Sequence, residues 1–238
     1  MRLLIAFLSL ASLPLPARPA GTEVIDNFMT DFIAEHKVPG AAIAVTRHGK
    51  LVYARGFGWA DTGTKRAVQP TSRFRIASIS KPLTAVAVMQ LVESGRISLT
   101  DPLSKHLKNM PRYRRHPKFD PRINAITIQD LLRHSGGWDR GKSFDPMGLT
   151  GHLRVAKELG IEPPVDTRDV ITFMFRRPLQ FDPGTDYAYS NFGYLLLGRI
   201  IEDVTGENYE GYVKKYVLAP IGVTAMQIGH MEKERRAA

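Results

Sequence analysis

Ser78-Ile79-Ser80-Lys81-Pro82, running on into Leu83-Thr84-Ala85-Val86-Ala87-Val88-Met89-Gln90-Leu91-Val92, is the stretch on which the reading of this chain turns. Only Thr84 and Gln90 interrupt the apolar run over residues 83–92, and Gly95 closes it. That pattern predicts a helix that is hydrophobic on most sides and belongs in the centre of a domain. Proline fits a helix only within the first turn. Pro82 therefore places Ser78 at or just before the helix start, where unpaired N–H groups and the positive dipole end face outward. Positions i and i+3 share a helix face, so Ser78 and Lys81 can touch. A serine beside a lysine that is partly desolvated can lose its proton to a neutral amine and act as a nucleophile. The same residues also suit an ordinary Ser N-cap with an exposed Lys81.

Working outward, residues 24–36 read as an amphipathic helix, with Ile25, Phe28, Phe32 and Ile33 at helical spacing and Pro39-Gly40 as its stop. Residues 41–46 and 51–57 are β-prone and flank Arg47-His48-Gly49-Lys50, a hairpin signal. Residues 61–70 are polar and turn-rich, and residues 101–121 are Pro-rich and basic. A short helix is predicted over 127–133, entering His134-Ser135-Gly136-Gly137, and another over 167–175. After the turn Phe181-Asp182-Pro183-Gly184, either Ser190 or Asn191 can cap a helix that runs to Thr205 and ends at Gly206. A last helix starts at Tyr209 and stops at Pro220. No internal repeat and no linker between independent domains is visible.

Composition narrows the classes. The chain has 238 residues, 43% hydrophobic and 24% charged, as in an ordinary soluble protein long enough to bury a core. It has no cysteine, which excludes disulfides, Cys-ligated zinc, iron–sulfur clusters and a thiol nucleophile. Lys+Arg 33 against Asp+Glu 23 gives a net charge of +10, mostly scattered. The one dense cluster is Arg112, Arg114, Arg115 and Lys118, with Tyr113 and His116 among them. It reads as a solvated basic loop, with a polyanion contact as the alternative; no recognition helix or RNA-binding signature points to nucleic acid. At the N-terminus Arg2, an apolar stretch over residues 3–13, and Pro14, Pro16 and Pro19 follow the layout of a secretory signal. Residues 1–20 are expected to be a signal peptide cleaved near Ala20, which implies an exported protein, periplasmic or secreted, with a retained N-terminal anchor as the alternative. The apolar stretch is shorter than the roughly 20 residues a membrane span takes, so no stable span is expected in the mature chain.

Other chemistries find little support. Gly136-Gly137-Trp138-Asp139-Arg140-Gly141-Lys142-Ser143 satisfies the P-loop pattern. A phosphate cradle, however, needs a buried strand before it and a helix start after it. A predicted helix precedes this stretch and Phe144-Asp145-Pro146 begins none, so the match is taken as chance. The seven histidines are dispersed and no metal-ligand spacing occurs, so no metal is expected, and no motif implies an organic cofactor. No G-x-S-x-G is present, which removes the α/β-hydrolase nucleophile elbow. What remains beside Ser78 and Lys81 is Tyr187-Ala188-Tyr189-Ser190-Asn191, between a Pro-Gly turn and a helix start. Tyr189 offers a phenol and Asn191 an amide, though alone they also suit a core aromatic and a cap.

Taken together, S-x-x-K at Ser78–Lys81 and Y-x-N at Tyr189–Asn191 resemble the serine β-lactamase and penicillin-binding superfamily. The nearest branch is that of class C β-lactamases, D-alanyl-D-alanine carboxypeptidases and esterases. Phe74-Arg75-Ile76-Ala77 before the serine, Gly95-Arg96-Ile97-Ser98-Leu99-Thr100-Asp101-Pro102 after the helix, and Leu131-Leu132-Arg133-His134-Ser135-Gly136-Gly137 read like the same branch. The resemblance implies an α/β fold of the serine β-lactamase/transpeptidase type: a helical region plus an antiparallel sheet, of which only the N-terminal hairpin is encoded here. It implies acyl transfer through an acyl-enzyme. Ser78 would be the nucleophile, its N–H an oxyanion donor, Lys81 the base held near neutrality by burial, Tyr189 a proton relay, and Asn191 a substrate-binding residue that orients Lys81 or a substrate amide. A β-lactam, a D-Ala-D-Ala peptide, another peptidoglycan-like substrate and a simple ester share that nucleophile and differ in pocket shape. The family's third motif, K-T-G or H-x-G on a later strand, does not follow Asn191. Residues 21–238 are therefore expected to be a β-lactamase-related domain incomplete at its C-terminus, weak or inactive alone. The alternative function is a non-catalytic cell-wall-binding protein of the same fold. No sequence feature sets an oligomeric state.

Overall fold

The computed structural model describes residues 21–229, so the expected signal peptide lies outside the described residues. The backbone divides into two units, with the boundary after Phe74.

The first unit holds helix α1 (Glu23–Glu35) and strands β1 (Gly40–Arg47), β2 (Lys50–Asp61) and β3 (Arg66–Ala67), in the antiparallel order β1-β2-β3. The turn between β1 and β2 sets His48 and Gly49 at φ 51° and 72°. Two successive positive φ values are what a tight hairpin needs to match strand twist. The hairpin is thus where the sequence places it, extended at both ends. The sheet itself corrects the expectation of a hairpin alone. The polar segment after Asp61 turns back, pairs Ala67 with Trp59, and lets Val68 N–H donate to the Gly58 carbonyl at 3.0 Å. So short a strand is held by backbone groups, and its side-chain pattern does not announce it. Along β2, Tyr53 and Phe57 are buried on one face. Tyr53 donates its hydroxyl to Asp26 of α1, and Arg55 pairs with the same carboxylate, tying helix to sheet.

The second unit is helical: α2 (Ser80–Glu93), α3 (Leu103–His106), α4 (Met110–Arg114), α5 (Ile128–Leu132), α6 (Leu149–Leu159), α7 (Thr167–Met174), α8 (Asn191–Thr205) and α9 (Tyr209–Tyr212). Helix α8 is its axis and packs against α2, α3, α5 and α9. Ser190 starts it by accepting the Gly193 N–H at 3.1 Å, and Gly206 ends it at φ 78°. Its residues Leu196, Leu197, Ile200 and Ile201 are fully buried, in one core with Ala87, Val88 and Leu91 of α2 and Ile128 and Leu131 of α5. Each of these leucine, isoleucine and valine side chains contributes roughly 1.5–3 kcal/mol by leaving water. Trp138 stacks on Phe175 at 6.1 Å and meets the edge of Phe192 at 4.8 Å.

Several parts of this unit depart from the sequence reading. Helix α2 buries only the face of Thr84, Ala87, Val88 and Leu91; Val86 and Met89 are 47% and 45% exposed. An all-round apolar composition does not say which faces receive neighbours. The Pro-rich basic stretch folds into α3 and α4, with Pro111 in the first turn of α4 and Met110 and Tyr113 buried. The chain from Tyr209 leaves the α-helix at Tyr212 and continues as a π-helical segment, Val213–Leu218. Among the described residues no helix is long and apolar enough to cross a membrane.

Candidate active site

Ser78 lies in the single helical turn Ala77–Ile79 directly ahead of α2, with its side chain exposed. It is not the N-cap of α2, a position held by Ile79. Ala77, just before it, sits at φ 43°, a left-handed conformation that a side-chain-bearing residue adopts only at a cost of about 1–3 kcal/mol. Lys81 follows on the same face and its Nζ donates to Ser78 Oγ at 3.2 Å.

Tyr189 reaches the same oxygen from the far side of the sequence. Residues 180–188 run beside residues 134–137: Gln180 N–H donates to the Gly137 carbonyl, Gly184 N–H to Ser135 and Ala188 N–H to His134, at 2.8, 2.8 and 3.0 Å. His134 also accepts the Ser190 N–H on its Nδ1 at 3.2 Å, so it grips the chain on both sides of Tyr189. Its own φ of 61° turns the ring back for that bond, with the ring centroid 4.5 Å from that of Tyr189. Held there, Tyr189 donates its hydroxyl to Ser78 Oγ at 2.7 Å.

Asn191, the first residue of α8, completes the group by accepting from Lys81 Nζ on Oδ1 at 2.6 Å. Lys81 is half-buried, with its Nζ 4.7 Å from the Tyr189 ring centre and 5.5 Å from that of Tyr194. The Tyr189 phenol is drawn below its ordinary value, first by its hydrogen bond with Lys81 and then by that with Ser78. The His134 imidazole is also drawn down, first by burial and then by the charge of Lys81, which suits a ring whose Nδ1 accepts a hydrogen bond. Ser78, Lys81, Tyr189 and Asn191, separated by up to 113 positions in the sequence, thus form one connected cluster.

Two further residues stand beside it that the sequence alone does not single out. Asp145 accepts the Asn191 Nδ2–H on Oδ2 at 2.5 Å. Arg140 contacts the same oxygen at 3.3 Å and lies 4.8 Å over the Tyr189 ring. Both belong to the loop that carries the P-loop-like pattern. That loop follows α5 rather than a strand, and its Lys142 lies beside Asp139 at 3.9 Å. No spacing rule links Asp145 to a residue 46 positions later, so only the fold reveals the pair. Among the described residues no three His, Cys, Asp or Glu side chains gather as metal ligands would.

Comparison with known proteins agrees with this architecture. Protein flp of Staphylococcus aureus (strain COL) is 30% identical over 200 residues, covering 84% of this chain and 37% of its own length. Esterase EstB of Burkholderia gladioli is 30% identical over 223 residues, covering 90% and 53%. The octameric penicillin-binding protein homologue from Pyrococcus abyssi superposes with a TM-score of 0.68 at 30% identity, covering 92% of this chain and 46% of its own. The chain thus spans between about a third and about a half of the length of these relatives. The Beta-lactamase family profile matches residues 25–238, and the chain, with its serine β-lactamase-type fold, belongs to the Beta-lactamase family.

Proposed function

We propose that this chain carries the acyl-transfer centre of a serine hydrolase that works through an acyl-enzyme on an ester, a β-lactam or a D-Ala-D-Ala-type peptide. The observation that supports it most is the convergence of Lys81 Nζ and Tyr189 OH on Ser78 Oγ, at 3.2 and 2.7 Å. In the forward step Ser78 Oγ attacks the substrate carbonyl and its proton passes to the Lys81–Tyr189 pair, with Lys81 as the base. The Ser78 N–H faces the developing oxyanion. When the tetrahedral intermediate collapses, the leaving amine or alcohol takes that proton from Tyr189, leaving the acyl group on Ser78. Water then attacks this ester, helped by the same pair, and frees Ser78. Asn191 holds Lys81 in place through its amide oxygen. EstB is called an esterase, and simple esters are accordingly the first substrates to try. The signal-like residues 1–20 support location outside the cytoplasm, and the family resemblance supports small-molecule or peptidoglycan-like substrates.

Hydrolysis of p-nitrophenyl acetate and of nitrocefin tests the reading. Turnover is expected to vanish in Ser78→Ala. Lys81→Met should slow acylation by roughly 10²–10⁴-fold, and by more than Asn191→Ala does, because it removes the base rather than an orienting contact. Acylation unchanged in Lys81→Met would move the base to Tyr189. Because the chain alone is expected to be weak, both assays are also run with a C-terminal segment bearing the third motif supplied. Peptidoglycan binding with no turnover of either substrate there would favour the wall-binding function instead.

A further inference from the structure

We infer that Asp145 is a positioning residue that dictates which end of the Asn191 amide faces Lys81. The two ends of an asparagine side chain are nearly the same size, so only their neighbours decide which is which. Here Oδ1 lies 2.6 Å from Lys81 Nζ and Nδ2 lies 2.5 Å from Asp145 Oδ2. Reversing the amide would press Nδ2 against Lys81 and oxygen against a carboxylate.

Lys81 alone enforces this order only while it is an ammonium. As a neutral amine it can accept a hydrogen bond, and either end of the amide would then satisfy it. An ionised carboxylate, by contrast, only accepts. Asp145 thus keeps Oδ1 on Lys81 while the lysine is without its extra proton, and the acceptor is already in place when the proton leaves Ser78. Stabilising charge by a group already oriented for it avoids reorganisation during the step.

Asp145 is itself fixed. Its Oδ1 accepts the Met147 N–H at 3.0 Å, and Arg140 Nη1 adds a contact to Oδ2 at 3.3 Å. The backbone beneath it is pinned by α6: a Cβ on Gly151 would run into the Asp145 carbonyl oxygen. A carboxylate with both oxygens engaged, on backbone in close contact with α6, is suited to setting the orientation of another side chain. The hydrogen bond does not depend on the acyl-transfer reading; its effect on rate does.

The test uses Asp145→Ser in the full chain. A serine can still receive the Met147 N–H and keep the turn, but is too short to reach Asn191. In nitrogen-15-labelled protein the Asn191 side-chain amide is identified by its loss in Asn191→Ala. It should show a displaced proton and slow solvent exchange that revert to ordinary asparagine behaviour in Asp145→Ser. Fluorophosphonate labelling of Ser78 should slow roughly tenfold in Asp145→Ser, with no further loss when this change is added to Asn191→Ala. An Asn191 amide unchanged in Asp145→Ser, or losses that multiply in the double variant, overturns the inference. If wild type takes no label at all, the acyl-transfer reading fails while the amide signal still decides the role of Asp145.

Discussion

Among single residues, the proposed chemistry depends on how Tyr189 and Lys81 share protons around Ser78. Tyr189 lies closer to the serine oxygen than Lys81 does, and its hydrogen bond with Lys81 is the first cause that draws the phenol pKa down. The phenol should therefore ionise below the ordinary tyrosine value of about 10. Ultraviolet titration at the phenolate band, with Tyr189→Phe to assign the signal, should find this group, and Lys81→Met should return it toward the ordinary range. A low-titrating tyrosine that survives in Lys81→Met would contradict the coupling. The four residues of the cluster are legible in the sequence, because S-x-x-K ahead of a Pro-started helix constrains geometry and, joined to Y-x-N, matches a known superfamily; Tyr189 and Asn191 alone suit a core aromatic and a cap equally well. His134 is visible there only as part of a stretch of family-like sequence. Its grip on Tyr189 needs a positive φ and a loop pairing that no local pattern encodes. Asp145 escapes a sequence reading for the same reason.

At the scale of elements, α2 and α8 are readable because helix-start signals and periodic or dense apolar residues agree, whereas α6 is not. Helix α6 buries Val155 and Ala156 but opens with Gly148, Thr150 and Gly151, a start that reads as loop. The reason for Gly151 is steric. Replacing a helical glycine by alanine ordinarily stabilises by roughly 0.5–1 kcal/mol. At Gly151 the new methyl would run into the Asp145 carbonyl oxygen and meet Pro146 backbone atoms at 2.8 Å, neither of which is a flexible side-chain end. Overpacking of this kind costs about 1–3 kcal/mol and outweighs the propensity gain. Gly151→Ala should therefore lower the melting temperature, and should slow Ser78 labelling by displacing Asp145. A melting temperature at or above wild type would show the loop to be freer than its contacts imply. Strand β3 makes the complementary point: two residues held by backbone bonds leave no side-chain signature.

At the scale of the whole molecule, the helical unit contains the complete four-residue cluster, and the fold is legible because the motif order matches a known superfamily. Its stability should depend on pH through the histidines. His134 and His116 both resist protonation in the fold, His134 by burial and the charges of Lys81 and Arg140, His116 by burial and those of Arg176 and Lys118. The unfolded chain binds those protons near the ordinary histidine value of about 6.5. The unfolded state then holds more protons, so this stability is present above about pH 6.5 and is lost as pH falls below it. Melting temperatures from about pH 7 to about pH 5.5 should decline, and decline less steeply in His134→Asn, which tolerates a positive φ and still offers an oxygen to Ser190. Equal slopes would remove His134 from the account.

The proposed role of Ser78 as a nucleophile activated by Lys81 and Tyr189 is checked most directly by peptide mapping by mass spectrometry after treatment with a fluorophosphonate probe. The account predicts a single adduct, on Ser78, whose formation is strongly slowed by Lys81→Met. An adduct on Ser80 or Ser190, or labelling of Ser78 at the same rate without Lys81, would contradict it.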